Sequence, residues 1–309
     1  MARTILYSHP VCIAHDPGQG HPERPDRLRA ILRALDGPAF AALDRREAPL
    51  ASRAAIARVH EPRLVDAILE AVPKTGHVAL DADTLMSPHS GEAALRAAGA
   101  LIAAVDAVLG GEAGNAFCAV RPPGHHAEPA RPMGFCLFNN VAIGAAHARA
   151  AHGLRRVAML DFDVHHGNGT QAYVEADADL FFASSHQWPL YPGTGAASET
   201  GVGNVVNVPL RAMSGSAEFR AGWADKVFPA LDRFAPELVM ISAGFDAHRD
   251  DPLGGLQLVE ADYEWVTTEL LRIAKVHAKG RLISTLEGGY DLDALAASTA
   301  AHVAALMAA

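Results

Sequence analysis

Short apolar runs rich in β-branched and aromatic residues alternate along this chain with longer Ala- and Leu-rich segments of helical period. That alternation is typical of an α/β fold, in which helices cover a parallel sheet. Several of the runs are apolar throughout, which indicates strands that are buried on both faces. The predicted strands are Thr4–Tyr7, Ala116–Val120, Val157–Phe162, Leu180–Ser184, Val205–Val208, Leu238–Ser242 and Leu282–Leu286.

Helices are predicted in the longer segments between these strands. One should begin with Ser87 as N-cap and Pro88 as its first residue, and should end at the Gly110-Gly111 pair. The segments 139–152, 216–234, 260–279 and 294–309 are predicted to be helical as well. No internal repeat, linker or composition shift divides the 309 residues, so we predict a single domain over residues 1–309.

Composition excludes several classes of partner. The formal net charge of −9 gives no general attraction to nucleic acid or to an anionic membrane surface. The sequence contains no apolar run long enough for a transmembrane helix, and its first residues do not resemble a signal peptide. Cys12, Cys118 and Cys136 are widely separated and do not form a disulfide framework. We therefore expect a soluble cytoplasmic protein without a nucleic-acid or membrane partner.

Clusters of polar residues follow four of the predicted strands. RPPGHH follows Val120, DFDVHHGNG follows Leu160, SAGFDAH follows Ile241, and EGGY follows Leu286. In open parallel α/β sheets, binding sites form at the carboxyl ends of the strands, where the loops converge. Four clusters at four strand ends therefore predict one shared crevice.

Three side chains in the second cluster have the spacing of metal ligands. Asp161, Asp163 and His165 are two residues apart, so they project to the same side of an extended segment. An unpaired buried charge is costly, and a divalent cation would compensate it. Asp163, His165 and Asp246 would form a mixed set of nitrogen and oxygen ligands with one open position. Zn²⁺ accepts such a set in catalytic sites, and Fe(II) or Co(II) would also suit it.

The alternative is that the aspartates cap the following turn or pair with Arg155 and Arg156. The paired histidines His125 and His126 favour the metal, because two imidazoles in a Gly/Pro loop have no packing reason to be there. A lone histidine is more often a surface residue or a satisfied core residue. That is the expectation for His15, His21, His60, His89, His147, His152, His248, His277 and His302.

Hydrolysis at a metal needs further groups, and the same clusters contain them. His125 and His126 could supply the base that takes a proton from water and the acid that protonates a leaving amine. Asp161 and Asn168 are available to orient the two imidazoles. Tyr290 follows two glycines and could donate a hydrogen bond to an oxyanion.

These motifs together resemble those of the histone deacetylase and acetylpolyamine amidohydrolase family, in particular its class II-like bacterial members. The matching stretches are HPERPDRL (21–28), RPPGHHAEPARPMGFCLFNNVAIGA (121–145), DFDVHHGNGTQ (161–171), YPGTG (191–195), SAGFDAHRDDPLGG (242–255) and EGGY (287–290). With their spacing they cover nearly the whole chain, and as a set they are highly specific.

The resemblance implies an arginase-like three-layer α/β/α fold around an eight-stranded parallel sheet, formed by a single deacetylase catalytic domain. It implies one Zn²⁺ per subunit on Asp163, His165 and Asp246. His126 would be the general base, with His125 beside it for electrostatic or acid help. Asp161 would orient His125, Asn168 would orient His126, and Tyr290 would hydrogen-bond the developing oxyanion. Some relatives have Asp in place of Asn168, whose neutral amide would make His126 less basic.

The resemblance also implies a structural K⁺ behind the zinc. Its ligands would be the carboxylate and backbone of Asp161, the Ser184 hydroxyl, and the backbone of Ser185, Asp163 and His165.

A narrow apolar tunnel is implied for the methylenes of an acyl-lysine. Phe135 and Tyr191 would form its walls and Leu253 its rim, and the backbone at Gly134 and Gly289 would also contact the substrate. Tyr191 departs from the Phe that is more usual there, and its hydroxyl could contact a polar substrate. The alternative is that both rings are ordinary core aromatics.

The predicted activity is zinc-dependent hydrolysis of the amide of acetyl- or short-acyl-lysine, or of a related small acylated amine. An acetylpolyamine amidohydrolase is the alternative. The eukaryotic polyamine type has Glu where this chain has Leu253, although Asp83 or Glu92 could supply the charge. An inactive acyl-amine binding module and an arginase-like dimanganese hydrolase are more remote, because every catalytic position is filled and the second metal would lack a ligand. The loops 12–26 and 77–91 should form the rim, which a second subunit of a homo-oligomer completes in some relatives.

Overall fold

Ten strands and eleven α-helices are present in the computed structural model, which describes residues 3–309. The strands are β1 Thr4–Ser8, β2 Asp44–Glu47, β3 Val78–Ala79, β4 Leu85–Met86, β5 Asn115–Cys118, β6 Val157–Asp161, β7 Leu180–Gln187, β8 Val205–Leu210, β9 Leu238–Ala243 and β10 Leu282–Leu286. The helices are α1 Pro10–Ala14, α2 Pro25–Leu35, α3 Arg53–Ile56, α4 Pro62–Glu70, α5 Ser90–Leu109, α6 Asn140–His152, α7 Asn168–Val174, α8 Ser216–Gly222, α9 Phe228–Phe234, α10 Glu260–His277 and α11 Leu292–Met307.

Eight strands form one parallel sheet, in the order β2-β1-β5-β10-β9-β6-β7-β8. The helices α5 and α6 pack against each other in one group, and α10, α11 and α2 form a second group, in which α11 contacts both of the others. Both α5 and α11 contact β5, so the sheet lies between these helix groups. The α/β fold with an eight-stranded parallel sheet is therefore confirmed. The strands β3 and β4 form a separate two-stranded antiparallel ribbon.

The strand β2 was not predicted, because its sequence, DRRE, has no apolar run. It is the edge strand next to β1, and its side chains alternate between half-buried and exposed. Arg46 contacts Asp44 on the same strand and Glu112 of a neighbouring loop, both at 2.8 Å. Charged side chains are common on edge strands, because they discourage pairing with another chain.

Two helix predictions needed correction. The helix α5 begins at Ser90 rather than at Pro88, and its N-cap residue, His89, makes no capping hydrogen bond. Ser87 is not the N-cap, because its Oγ accepts a hydrogen bond from the Asp16 amide at 3.1 Å and so joins the loop before α2 to the loop before α5. The predicted helix 216–234 is interrupted by a π-helical turn at Trp223–Val227.

The chain core lies on both faces of the sheet, and β5, β6, β9 and β10 are buried throughout. The loops that follow these four strands carry the polar clusters, and they meet at the carboxyl edge of the sheet, as predicted. Within residues 3–309, none of the helices is both long enough and apolar enough to cross a membrane.

Candidate active site and metal centre

Hydrogen bonds from backbone N–H groups to carboxylates fix the conformation of the loop after β6. The Asp163 amide donates to Asp161 Oδ1 at 3.0 Å, and the His165 amide donates to Asp163 Oδ1 at 2.9 Å. The Val164 amide donates to Asp246 Oδ1 at 2.8 Å, which brings the loop after β9 alongside. Each of the three carboxylates is therefore fixed by at least one backbone N–H group, and the second oxygen of Asp163 accepts a hydrogen bond from the Gly288 amide at 2.8 Å.

Asp163, His165 and Asp246 converge on one point. His165 Nδ1 lies 3.1 Å from Asp163 Oδ1 and 3.2 Å from Asp246 Oδ2, and the three donor atoms are all within 4.8 Å of one another. Both aspartates are fully buried. Their charges raise the pKa of His165 to about 10 despite its burial, and burial together with the charge of Asp163 raises the pKa of Asp246 to about 7.

This donor set fits a divalent transition metal. Among residues 3–309, no Lys or Arg forms an ion pair with Asp161, Asp163 or Asp246. The only ion-pair partners of these three carboxylates are imidazoles. Two carboxylates and one imidazole with an open side are ligands that zinc accepts. The backbone closes tightly around them, because a Cβ on Gly288 would lie 2.0 Å from Asp246 Oδ2.

The adjacent histidines have different partners. His125 Nδ1 lies 2.9 Å from Asp161 Oδ2, and His126 Nδ1 lies 2.8 Å from Asn168 Oδ1. Asn168 Nδ2 donates to Glu128 Oε1 at 2.7 Å, so the amide presents its oxygen to His126. His126 Nδ1 therefore carries the proton, and its Nε2 has a free lone pair.

The same surroundings separate the two histidines electrostatically. Burial disfavours the charged ring in both cases, but the charges of Asp161 and Asp163 outweigh it and raise the pKa of His125 well above its usual value. Burial and the neighbouring His125 and His165 hold the pKa of His126 well below its usual value. The pair thus offers one imidazolium and one neutral imidazole, with ring centroids 4.0 Å apart.

Tyr290 is buried opposite the histidines. Its amide donates to Asp251 Oδ2 at 2.7 Å, and the Arg27 guanidinium lies over its ring, 4.8 Å from the centroid. Burial raises the pKa of Tyr290 well above its usual value, although the charge of Arg27 opposes this. The phenol therefore stays protonated and can donate a hydrogen bond.

A cavity of about 260 Å³ leads to these groups. The lining includes four of the five residues predicted to contact the substrate, together with their neighbours: Asp83, Pro123, His125, His126, Gly134, Phe135, His165, Leu190, Tyr191, Leu253, Gly288 and Tyr290. Gly289 is the exception. Its carbonyl accepts a hydrogen bond from Arg27, and Gly288 lines the cavity in its place.

Phe135 and Tyr191, the two aromatic residues that line the cavity, lie at different depths in it. Phe135 has a positive φ of 67°, and its amide donates to the Thr84 hydroxyl at 3.1 Å. Its ring meets Tyr290 edge-on, with centroids 6.0 Å apart. Tyr191 is 38% exposed and meets His126 edge-on at 5.1 Å. Neither ring is an ordinary core aromatic, because both border the cavity.

Of the two acidic residues considered for the rim, Asp83 lines the cavity. Burial and the charge of Asp81 raise the pKa of the Asp83 carboxyl. Glu92 is not part of the lining and pairs with Arg96 at 3.2 Å on the first turns of α5.

The residues predicted for K⁺ lie together behind the metal centre. Asp161 and Ser184 are register partners on β6 and β7. The Ser184 hydroxyl is 2.9 Å from His186 Nδ1, and the Ser185 hydroxyl accepts a hydrogen bond from Trp223 Nε1 at 3.0 Å. Occupancy by K⁺ stays a prediction.

Two buried carboxylates that hold the loops of this site, Glu287 and Asp251, were not predicted from the sequence. Glu287 accepts hydrogen bonds from the Gly124 amide at 2.7 Å, the His125 amide at 3.1 Å and the Ser242 hydroxyl at 3.0 Å. Burial raises its pKa to about 7. An acidic residue directly after an apolar strand was the available signal for Glu287.

Asp251 is the second of them. Its Oδ1 accepts from the Leu253 amide at 2.9 Å, and its Oδ2 accepts from the Tyr290 and Asp291 amides at 2.7 and 3.3 Å. It therefore joins the rim to the turn that carries Tyr290. Its partners at Tyr290 and Asp291 lie about 40 residues away, and no local pattern points to them.

Comparison with known proteins agrees with this geometry. The sequence profile of the histone deacetylase domain matches residues 21–306. The chain belongs to the histone deacetylase family. This histone deacetylase family member is 38% identical to "Histone deacetylase 14, chloroplastic" of Arabidopsis thaliana over 324 residues, which cover 98% of this chain and 76% of that protein.

Two further relatives extend the comparison. The "Histone deacetylase-like amidohydrolase" of Pseudomonas aeruginosa is 41% identical to this histone deacetylase family member over 278 residues, which cover 88% of this chain and 73% of that protein. The crystal structure of the HDA15 HD domain superposes with a TM-score of 0.94 at 35% identity, and covers 99% of this chain and 88% of that chain. The fold and the family are thus established together.

Proposed function

We propose that this protein is a zinc-dependent deacylase that hydrolyses the amide bond of acetyl- or short-acyl-lysine, or of a related acylated amine. The products are acetate or another carboxylate and the free amine. The observation that carries the proposal is the meeting of a buried Asp-His-Asp donor set, a His pair with opposite protonation preferences and a buried tyrosine at the inner end of one cavity.

Asp163, His165 and Asp246 would hold the zinc ion, one per subunit. A bound zinc ion would polarise the substrate carbonyl and make a water molecule easier to deprotonate. Two carboxylate ligands offset most of its formal charge, so its Lewis acidity alone should be modest. The side chains around the centre then have a physical reason to contribute to the reaction.

His126 is placed to act as the general base. Its Nδ1 proton is used on Asn168, so Nε2 can accept the proton that the attacking water loses. A low pKa keeps this imidazole neutral at pH 7, although it also limits its basicity.

His125 and Tyr290 serve the charges that develop next. Asp161 holds His125 as an imidazolium, which offsets negative charge on the tetrahedral centre. The leaving amine needs a proton, and either His125 or the protonated His126 supplies it. The Tyr290 hydroxyl donates a hydrogen bond to the carbonyl oxygen, and this bond strengthens as the oxygen becomes an oxyanion.

The cavity walls indicate the substrate class. Phe135 and Tyr191 would enclose the methylenes of an acyl-lysine, with Leu253 at the rim. The same apolar walls would accept a small acylated amine. We also propose that K⁺ binds behind the centre at Asp161, Ser184 and Ser185, where it would support the loop that carries the zinc ligands.

An acetylpolyamine amidohydrolase is the second candidate, and the position of Asp83 favours it. This carboxylate lines the cavity, where it could meet a substrate ammonium group. The rim position that carries Glu in the eukaryotic polyamine type is Leu253 here, which favours the acyl-lysine. An inactive binding module is less well supported, because the histidine pair and Tyr290 are all present and oriented.

We further propose that residues 1–309 form a single catalytic domain that acts in the cytoplasm, without a nucleic-acid or membrane partner. A homo-oligomer, in which a second subunit would complete the rim formed by the loops 12–26 and 77–91, stays a prediction.

A comparison of kcat/KM values among acetyl-lysine peptides, longer acyl-lysines, acetylputrescine and acetylspermidine tests the substrate assignment. We expect the peptides to be preferred by the zinc-loaded enzyme. Asp83→Asn should then alter kcat/KM little for peptides, and Glu92→Gln is the matched control because Glu92 lies outside the cavity.

A preference for the two polyamines that Asp83→Asn abolishes would replace the acyl-lysine assignment by the polyamine one. Absence of turnover with all four substrate types, in protein that holds stoichiometric zinc, would favour the binding module.

A further inference from the structure

A second group of metal-binding side chains lies on the surface between α5 and α6. Asp106 belongs to the last turn of α5, and His147 and His152 belong to the second half of α6. His147 Nε2 lies 2.7 Å from Asp106 Oδ1, and His152 Nε2 lies 2.6 Å from the same oxygen. Within residues 3–309, only this group and the catalytic one bring three such donors within 4.8 Å of one another.

The protonation states in this cluster are set by its hydrogen bonds. Both imidazoles direct Nε2 at a single carboxylate oxygen, so in the neutral form each must carry its proton on Nε2. A tautomer change of each neutral ring, in which solvent takes the Nε2 proton and returns one to Nδ1, leaves two Nε2 lone pairs that face the Asp106 carboxylate. Both histidines contact Asp106 Oδ1. Within residues 3–309, Asp106 Oδ2 makes no hydrogen bond and is available as a further ligand.

The charge and exposure of the cluster allow a cation to enter. Asp106 is half exposed, whereas the side chains of His147 and His152 are 14% and 27% exposed. Within the described residues 3–309, Arg58 is the one positively charged side chain that contacts the cluster, and its Nη1 lies 3.4 Å from His147 Nδ1. Arg58 is exposed, so its guanidinium can turn into solvent when that nitrogen becomes a donor.

We propose that Asp106, His147 and His152 bind a divalent transition-metal ion that ties the C-terminal end of α5 to that of α6. Two imidazoles and one carboxylate, with solvent on the open side, suit Zn²⁺, Ni²⁺ or Cu²⁺, whereas Mg²⁺ and Ca²⁺ prefer oxygen ligands. The two helices already pack against each other, so the ligands need little rearrangement.

This site is separate from the catalytic centre. The helix α5 starts at Ser90, beside the rim loop, and Asp106 is 16 residues further along. At 1.5 Å per residue, the helix carries Asp106 about 24 Å from that end. An ion here is a structural cross-link and not a participant in hydrolysis.

Metal counting tests the proposal. Untagged, chelator-stripped protein would be titrated with Zn²⁺ against a chromophoric chelator, and the melting temperature would be measured after each equivalent. We expect two equivalents to bind the wild-type protein, with the second raising the melting temperature. His152→Gln and Asp106→Asn should each bind one equivalent, lose that second rise, and keep the turnover measured at one equivalent.

Two controls separate this site from others. His277→Gln removes a histidine from an exposed pair with Asp232, and it should still bind two equivalents. Asp246→Ala, which disrupts the catalytic donor set, should still bind one. The proposal is overturned if the wild-type protein binds a single equivalent, or if His152→Gln still binds two.

Discussion

His125 and His126 are neighbours in sequence with the same ring, yet their partners give them opposite protonation preferences. A carboxylate faces one ring and an amide oxygen faces the other, at nearly equal distances of 2.9 and 2.8 Å. Amide hydrolysis needs a neutral base beside a fixed positive charge. One group must accept the proton of the attacking water, while another stabilises the negative charge that develops on the substrate.

Substitution of His126 by alanine tests the base. The His126→Ala variant should keep its zinc, because His126 is not among the three converging donors. Its kcat should fall by about 10²-fold or more, the usual contribution of a positioned base. Metal content and kcat would be measured on the same preparation, and a near-normal kcat would remove His126 from this role.

The hydroxyl of Tyr290 gives a second test at this scale. Tyr290→Phe keeps the ring between Phe135 and Arg27 but removes the donor to the oxyanion. A bond that strengthens in the transition state should affect kcat more than KM. Steady-state kinetics on an acetyl-lysine peptide would show this, and a change in KM alone would make Tyr290 a binding residue.

The candidate active site lies at the carboxyl ends of β5, β6, β9 and β10, and buried carboxylates connect the loops that follow these strands. Glu287 joins the loop that carries the histidine pair to the end of β10. Asp251 joins the loop after β9 to the turn at Tyr290. Because each carboxylate accepts three hydrogen bonds, a small change there should move a catalytic side chain without unfolding the sheet.

Replacement of Asp251 by asparagine tests this positioning. The Asp251→Asn variant turns an acceptor into a donor that faces backbone N–H groups, so the turn at Tyr290 should shift. We expect kcat to fall about 10-fold or more with a smaller change in KM. Asp250→Asn is the matched control, because Asp250 is exposed and pairs with His248 and Arg249. Equal losses in both variants, or a pure loss of thermal stability in Asp251→Asn, would contradict a positioning role.

Elements with an apolar period could be predicted from the sequence, and those without one could not. Seven of the eight sheet strands follow from continuous apolar runs, whereas β2 is a charged edge strand whose structure depends on pairing with β1. The start of α5 was misplaced because Ser87 has a long-range partner, Asp16, that competes with capping. Local propensity cannot anticipate such contacts.

The candidate site shows the same division. The predicted zinc ligands, the histidine pair and Tyr290 lie in motifs of unusual composition, and the structure brings them together. Asp251 and the Asp106 cluster are recognisable only when distant segments are packed, whereas Glu287 directly follows the apolar strand β10. His147 and His152 looked like isolated histidines because their shared partner is on another helix.

At the scale of the whole molecule, burial of neutral histidines links stability to pH. Five of them, His15 and the four named next, lie outside the candidate active site and the surface cluster, and burial is the main cause of their lowered pKa values. The pKa is lowered to about 4 for His60 and His186, and to about 3 for His166 and His302. Unfolding returns each pKa to about 6.5, so the unfolded chain binds more protons below that pH.

The stability that these buried neutral histidines contribute is therefore fully present above pH 6.5 and should fall as the pH drops toward 4. Each histidine adds a slope of about 1.4 kcal/mol per pH unit in that window. Glu287 opposes the trend above about pH 4.5, since burial raises its pKa to about 7 in the folded protein. Urea unfolding would be followed at several pH values with chelator always present, so that metal release does not contribute.

The His302→Gln variant isolates one of these protons. Between pH 6.5 and 4, the variant should take up one proton fewer on unfolding than the wild-type protein. Its unfolding free energy should therefore change less steeply with pH. An unchanged slope would show that His302 is protonated in the folded state.

The proposed function requires that Asp163, His165 and Asp246 hold the metal ion on which turnover depends. The direct test uses the His152→Gln background, so that the surface cluster does not contribute. Chelator-stripped protein should not hydrolyse a fluorogenic acetyl-lysine substrate, and activity should return in proportion to Zn²⁺ up to one equivalent. Adding Asp246→Ala should abolish both the bound equivalent and the activity. Full turnover in metal-free protein, or stoichiometric zinc retained after Asp246→Ala, would contradict the assignment of this centre.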